Sequence, residues 1–264
     1  MDKSWTGAHG IAANGRGGRS SVFDIDFRHP AVLARELASI DVISEGRLEV
    51  GLGAGYNPLD YSRSGIRMDS PKVRVDRLIE HASVLRSLWG TEPVTFVGDH
   101  YRITELDGTP KPFTAGGPPL LIAGGGKRML RFAARHAEIV GVNVSLPSAP
   151  NEASARDGLP ESIDRKFAQL RLDAGDRFDT LEFNAWLSVA SVTNDALALA
   201  RKLSGRFGAT AEDILSSPFI LAGTHDQIVE RLHARRERWG YSYFVIQGSG
   251  IDEFAPIVQE LSGT

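Results

Sequence analysis

Apolar residues recur along this chain at two spacings, and the alternation between them lays out the elements. From Pro30 to Ser44 the spacing is helical. Ala31, Ala34, Leu37, Ala38 and Val42 make one stripe, and Pro30 suits a first helical position, where its missing N–H costs nothing. Glu45-Gly46 then supplies the left-handed exit. Leu48 to Leu52 reads as a short buried strand that opens into a small-residue loop, Gly53-Ala54-Gly55-Tyr56-Asn57. A helix feeding a buried strand of this kind is half of an α/β unit. In such units the loops after the strands carry the ligands.

The same rhythm extends in both directions. Val22 to Phe27 reads as a strand entering this segment. A polar connection, PLDYSRSGIRMD, is long enough to fold over a site as a lid. Ser70-Pro71 opens a helix whose buried face is Val75, Leu78, Ala82, Leu85 and Trp89, and Gly90 stops it. Val94 to Ile103 predicts a small β-hairpin insertion turning at Gly98-Asp99. After a proline-rich connection, Leu120 to Ala123 is a strand, Gly124-Gly125-Gly126 a turn, Lys127 to Ala137 a helix and Ile139 to Val144 a strand. A polar stretch around Asn151 and a helix near Glu161 to Asp173 follow, then one long strand from Leu181 to Val192. Helical material fills Asp195 to Ser216, and Thr224 to Gln227 reads as a capping box for a helix ending at Gly240. Tyr243 to Ile246 is the last strand and Glu253 to Leu261 the last helix. About six core strands, each followed by a helix, predict a parallel α/β sheet, closed as a barrel or open and doubly wound.

Composition narrows the picture. A length of 264 residues suits one large α/β domain or two small ones. The opening segment, MDKSWTGAHGIAANGRGGRSS, has five glycines and few apolar residues, so residues 1–21 are expected to be disordered and 22–264 to form the domain. A formal charge of -3 argues against a nucleic-acid or anionic-membrane partner. There is no cysteine, which excludes disulfides, thiolate zinc and cysteine nucleophiles. No apolar run approaches the roughly 18–20 residues of a membrane span, and no secretory segment opens the chain, so a cytoplasmic protein is expected.

The strongest candidate for chemistry is Gly124-Gly125-Gly126, between a strand and a helix. Main-chain N–H groups there can approach a phosphate at a helix N-terminus, and Lys127 can add a full charge. The alternative is a plain glycine turn. Gly51, Gly53 and Gly55 do not make a dinucleotide fingerprint, since the spacing asks for glycine at Tyr56. Asn57 can hydrogen-bond a ring carbonyl. The seven histidines show no metal spacing; His29 reads as a cap or packing residue, and no serine sits in a hydrolase elbow. Arg231, Arg235, Arg236 and Arg238 read as a solvated helix face.

The stretch DFRHPAVLARELASIDVISEGRLEVGLGAGYN resembles the luciferase-like monooxygenases, the flavin- and deazaflavin-dependent oxidoreductases. VDRLIEHASVLRSLW, PPLLIAGGGKRMLRFAARHAEIVGVN and SPFILAGTHDQIVERLHARRERWGYSYFVIQG agree in order and spacing, so the likeness covers about Phe23 to Ile246. The resemblance implies a TIM-barrel-like (β/α)8 fold with the cofactor at the C-terminal strand ends. It implies coenzyme F420 (a deazaflavin) or FMN as cofactor, a small organic substrate and a homodimer. It also implies cofactor contacts at Gly124, Gly125, Gly126, Asn57 and Gly53. Hydride would pass between the reduced cofactor and the substrate, with no catalytic acid or base singled out. Where some dehydrogenase members carry a glutamate, this chain has Ala54. The chain looks like a member without the first two βα units, an incomplete barrel. The alternative is a non-catalytic flavin-binding relic of the same fold.

Overall fold

The computed structural model describes residues 11–14, 17–145, 152–246 and 251–261. The chain divides into two units, residues 1–123 with 136–138, and residues 124–135 with 139–264.

In the first unit, strand β1 (Ile11–Asn14) runs antiparallel to β2 (Gly17–Asp24). These strands fall largely within the segment expected to be disordered. Residues 1–10 and 15–16 of that expectation lie outside the described residues. Helix α1 (Pro30–Ile43) starts where His29 accepts the Ala31 N–H on Nδ1 at 3.3 Å, so His29 is a cap. It ends where Glu45 and Gly46 take positive φ. Its inward face is Leu33, Ala34, Leu37, Ala38 and Asp41, whereas Val42 is 45% exposed. Asp41 faces inward because its carboxylate accepts the Thr114 N–H at 2.8 Å and the Thr114 hydroxyl at 3.3 Å.

Strand β3 (Glu49–Gly53) lies parallel to β2. Residues 58–69 do not form a free connection. Asn57 accepts the Leu59 N–H and caps a short helix, α2 (Pro58–Ser64), which Gly65 ends in the left-handed region. Helix α3 (Pro71–Leu88) buries Leu78, Ala82 and Leu85 as the spacing predicts, and the Trp89 indole donates to the Ala34 carbonyl at 3.1 Å. The hairpin is β4 (Val94–Val97) against β5 (Arg102–Leu106). The Glu80 carboxylate accepts three N–H groups at its tip, from Asp99, His100 and Tyr101. Strand β6 (Leu120–Gly124) pairs parallel with β3, placing Leu52 beside Ile122.

The second unit begins as β6 gives way to helix α4 (Lys127–His136). Strand β7 (Ile139–Val142) is buried throughout. The stretch expected to be polar around Asn151 lies partly outside the described residues. Helices α5 (Glu152–Asp157) and α6 (Pro160–Ala174) follow. The long strand predicted over Leu181 to Val192 is two strands, β8 (Glu182–Trp186) and β9 (Val189–Val192). The break comes where consecutive amides change partner. The Leu187 N–H donates to Val245 O at 2.9 Å, and the Ser188 N–H donates to Phe219 O at 2.9 Å.

Helices α7 (Ala196–Phe207) and α8 (Ala211–Ser216) lead to β10 (Ile220–Gly223), a strand the sequence reading missed, which pairs parallel with β9. The capping box at Thr224 opens α9 (His225–Trp239). Strand β11 (Tyr241–Val245) pairs parallel with β8, as β7 does, and α10 (Ile251–Leu261) closes the chain. The core holds Phe167 and Tyr241 edge to face at 5.3 Å, and separately Leu187, Leu221, Ile228 and Phe254. Burying such side chains contributes about 1.5–3 kcal/mol each. Six parallel strands are thus present at the predicted places, three in each unit (β2, β3, β6; β7, β8, β11), although the first stops at Asp24 and Ile25–Phe27 of its predicted span turns into a 3-10 helix. Among the described residues no helix is long and apolar enough to cross a membrane.

Candidate functional site

Parallel pairing puts the C-terminal ends of β2 and β3 on one edge, where α/β folds place their ligands. Asp24 ends β2. Its Oδ1 accepts the Asp26 N–H at 3.1 Å and lies 3.2 Å from the Tyr61 hydroxyl, which in turn donates to Asp26 Oδ2 at 2.8 Å. Arg77 reaches from α3 to Asp26 Oδ1 at 2.6 Å and also binds the Asp69 carboxylate. Tyr61 is 1% exposed, so α2 is pinned by a polar anchor rather than free to swing. Arg74, itself 6% exposed, donates to the carbonyls of Asp69 and Ala54 at 3.1 and 3.0 Å and to that of Gly55. One buried guanidinium thereby shapes the turn after β3.

Burial, with the charge of Asp26 adding to it, pushes the Asp24 carboxyl up to about 6, against the hydrogen bonds it accepts and the Arg74 charge. Burial and the neighbouring Asp24 charge push the Tyr61 phenol well above its ordinary range. Burial works against the Arg77 cation, but its hydrogen bonds to Asp26 and Asp69 outweigh that and hold it charged. These groups escaped the sequence reading. The signal available was Asp24-Ile-Asp26, two carboxylates two residues apart at the predicted end of a strand.

Of the residues proposed for cofactor contact, Gly53 and Asn57 lie on this edge. Gly53 is buried, and a Cβ there would overlap Val22 Cγ1, so its place is a close packing point between β3 and β2. Asn57 spends its side-chain oxygen on the α2 cap, which leaves its amide N–H groups for other use.

Gly124, Gly125 and Gly126 stand in the second unit. The Gly124 carbonyl accepts the Asn143 N–H at 3.1 Å, so the Gly125 N–H of the same planar peptide points away from β7. A Cβ on Gly125 would overlap the main chain of Val144 and Ser145, whereas one on Gly126 would meet nothing within 4 Å. The Gly126 carbonyl accepts the Leu130 N–H at 3.0 Å and so caps α4. The first turn of α4 has no acidic residue and carries Lys127 and Arg128, two cations at the positive end of the helix dipole. This donor set suits an anion. The chain opposite the glycines is held by Lys166, which donates to Asn143 O and Asp157 Oδ2 at 2.7 Å each, and by the Ser145 N–H donating to Asp157.

The arginines of α9 form a solvated face only in part: Arg236 and Arg238 are exposed, whereas Arg231 and Arg235 turn to main-chain carbonyls. Arg235 is 5% exposed and donates to Ser217 O and Ile220 O, Arg231 donates to Ala222 O, and Arg238 pairs with Asp164. Among the described residues no three histidine, aspartate or glutamate side chains gather as a metal site would need.

A parallel α/β fold like this one is shared with proteins of known kind. The tetrahydromethanopterin reductase of Methanopyrus kandleri, described as coenzyme F420 dependent, superposes with a TM-score of 0.67 at 17% identity, over 88% of this chain and 77% of that one. An F420-dependent glucose-6-phosphate dehydrogenase of Amycolatopsis mediterranei is 25% identical over 249 residues, 89% of this chain and 74% of that protein. Pyrimidine monooxygenase RutA of Enterobacter sp. (strain 638) is 34% identical over 140 residues, half of this chain and 38% of RutA. The profile of the luciferase-like monooxygenases matches residues 20–157. The chain belongs to the luciferase-like monooxygenase family, and its fold is the TIM-barrel-like α/β fold of that group.

Proposed function

We propose that this chain is an oxidoreductase that works with a reduced flavin or with coenzyme F420 on a small organic substrate. The cofactor's phosphate would rest on the main chain of Gly125 and Gly126 and on the first turn of α4. The observation that carries this reading is the loop itself, with open space at Gly126, an amide-rich helix start and two cations in place of an acid. When bound, the cofactor supplies the hydride chemistry. The chain's own residues do the rest. Lys127 and Arg128 neutralise the phosphate. Lys166 and Asp157 fix the Asn143–Ser145 segment that backs the glycines. Gly53 keeps β3 close to β2. Relatives named as dehydrogenase and as monooxygenase both support an oxidoreductase and leave the substrate open.

The test is a titration of the purified protein with FMN and, separately, with F420, followed by absorbance and fluorescence. Gly126→Asp is the informative variant, because its side chain enters open space and leaves the fold intact while setting a carboxylate against the phosphate. Saturable binding of one cofactor, weakened at least tenfold by Gly126→Asp, supports the reading. Binding of neither, or an affinity unmoved by the variant, overturns it.

A further inference from the structure

Three oxygen-bearing groups meet at the end of β2 with fewer hydrogens than their contacts require. The Tyr61 hydroxyl has one proton and gives it to Asp26 Oδ2, the shorter contact at 2.8 Å, where Arg77 balances the Asp26 charge. That leaves the Tyr61 oxygen 3.2 Å from Asp24 Oδ1 with no hydrogen between them. Two oxygens at this distance repel unless one is a donor. A proton on Asp24 completes the chain: Asp24 donates to Tyr61, Tyr61 to Asp26, and Asp26 answers Arg77. The second Asp24 oxygen, Oδ2, lies against Gly55, where a Cβ would overlap it. Gly55 has φ +69° and its carbonyl is held by Arg74, so the turn presents main chain and no side chain to this oxygen.

We propose that Asp24 is the group that exchanges a proton with the ligand bound over the ends of β2 and β3, with Tyr61 and Asp26 holding it in place from behind. The carboxyl releases its proton to a ligand oxygen, its O–H bond breaking as the new one forms, and is left as a carboxylate that the Asp26 N–H still supports. It takes a proton back from water, while Tyr61 and Asp26 hold it in place. The surroundings favour this use, the Arg74 charge alone among the charged groups pulling the other way. Asp26 disfavours a second negative charge beside it. Arg77, from α3, is already committed to Asp26 and Asp69, and Arg74 is committed to carbonyls. Tyr101, on the hairpin, stays a phenol across the neutral range because burial pushes it up to about 12. The direction for Asp24 agrees with the geometry, since burial holds its carboxyl near 6.

The proposal rests on the functional reading above only for the identity of the ligand, and its test separates the two. Carbonyl-13C aspartate labelling of the protein without cofactor follows the Asp24 resonance, assigned by its loss in Asp24→Asn, which keeps the acceptor oxygen that Asp26 N–H uses. The expected result is a midpoint near pH 6 that moves in Tyr61→Phe, and a limb of the same midpoint in the pH profile of cofactor turnover that Asp24→Asn removes while cofactor affinity stays within about twofold. An Asp24 midpoint near the ordinary 3.8 overturns the proposal, as does a turnover limb that survives Asp24→Asn. Failure of any cofactor to bind the unaltered protein overturns the functional reading instead, and the resonance still reports on Asp24.

Discussion

Lys166 on α6 holds the Asp157 carboxylate at 2.7 Å, and the ion pair sits beneath the segment that backs the glycine loop. The Lys166 side chain is 11% exposed and that of Asp157 24%, so this pair falls between a surface bridge and a buried one. Lys166→Met is expected to cost about 2 kcal/mol, more than an exposed pair and less than a fully buried one. Adding Asp157→Asn to that variant removes the stranded charge and should restore part of the loss. Urea denaturation of the two variants measures both values.

Gly125 and Gly126 make opposite demands. Gly125→Ala drives a methyl into the Val144–Ser145 main chain and is expected to cost about 2–3 kcal/mol, the scale of overpacking. Gly126→Ala meets open space and should cost under about 1 kcal/mol, the price of an alanine cap. Thermal unfolding of the pair ranks them, and equal losses would contradict this loop geometry.

His81 lies fully buried in α3, with Nδ1 3.2 Å from the Tyr101 hydroxyl. Burial, with His29 adding to it, pulls its midpoint down from 6.5 to about 3. The unfolded chain therefore binds a proton there that the folded chain refuses. Stability contributed by neutral His81 is present above pH 6.5 and is lost as pH falls toward 3, at up to about 1.4 kcal/mol per pH unit. Asp24, raised above its unfolded value, runs the other way between 3.8 and about 6. Denaturation midpoints of His81→Gln across pH 4–7 should fall less steeply toward acid than those of the parent protein.

Arg235 donates to Ser217 O at 3.1 Å and to Ile220 O at 2.6 Å from a buried position. Arg235→Met strands both carbonyls and is expected to cost about 3 kcal/mol. Because it anchors the approach to β10, hydrogen exchange at residues 220–223 should accelerate in the variant before other strands respond.

Much of this architecture is written in local pattern. Pro30, His29 and Glu45-Gly46 mark both ends of α1, and short Val/Leu/Ile-bearing runs mark β3, β6 and β7, because a strand buried on both faces has little choice of composition. What stayed hidden depends on partners far along the chain. Asp41 faces inward and Val42 outward because Thr114, 73 residues away, satisfies the carboxylate. The break at Leu187–Ser188 is a change of hydrogen-bond partner, which leaves no mark in an alternating sequence. Strand β10 is four residues long, too short for periodicity to register. In the candidate site the glycine loop was legible, since three glycines between a strand and a helix have few uses. The Asp24 group was not, because Tyr61 and Arg77 join it only through folding, and a charge in a half-polar strand looks solvated until its neighbours are known. Arg231 and Arg235 on α9 misled for the same reason, as their acceptors are main-chain carbonyls.

Glu80 gathers three main-chain N–H groups of residues 99–101, and a Cβ on Gly98 would crowd that carboxylate. The apex of a hairpin is ordinarily its freest point, where an extra residue goes unnoticed. Here the apex is riveted to α3. An insertion between Gly98 and Tyr101 would therefore unseat the whole arm, and this excursion can diversify only along its sides.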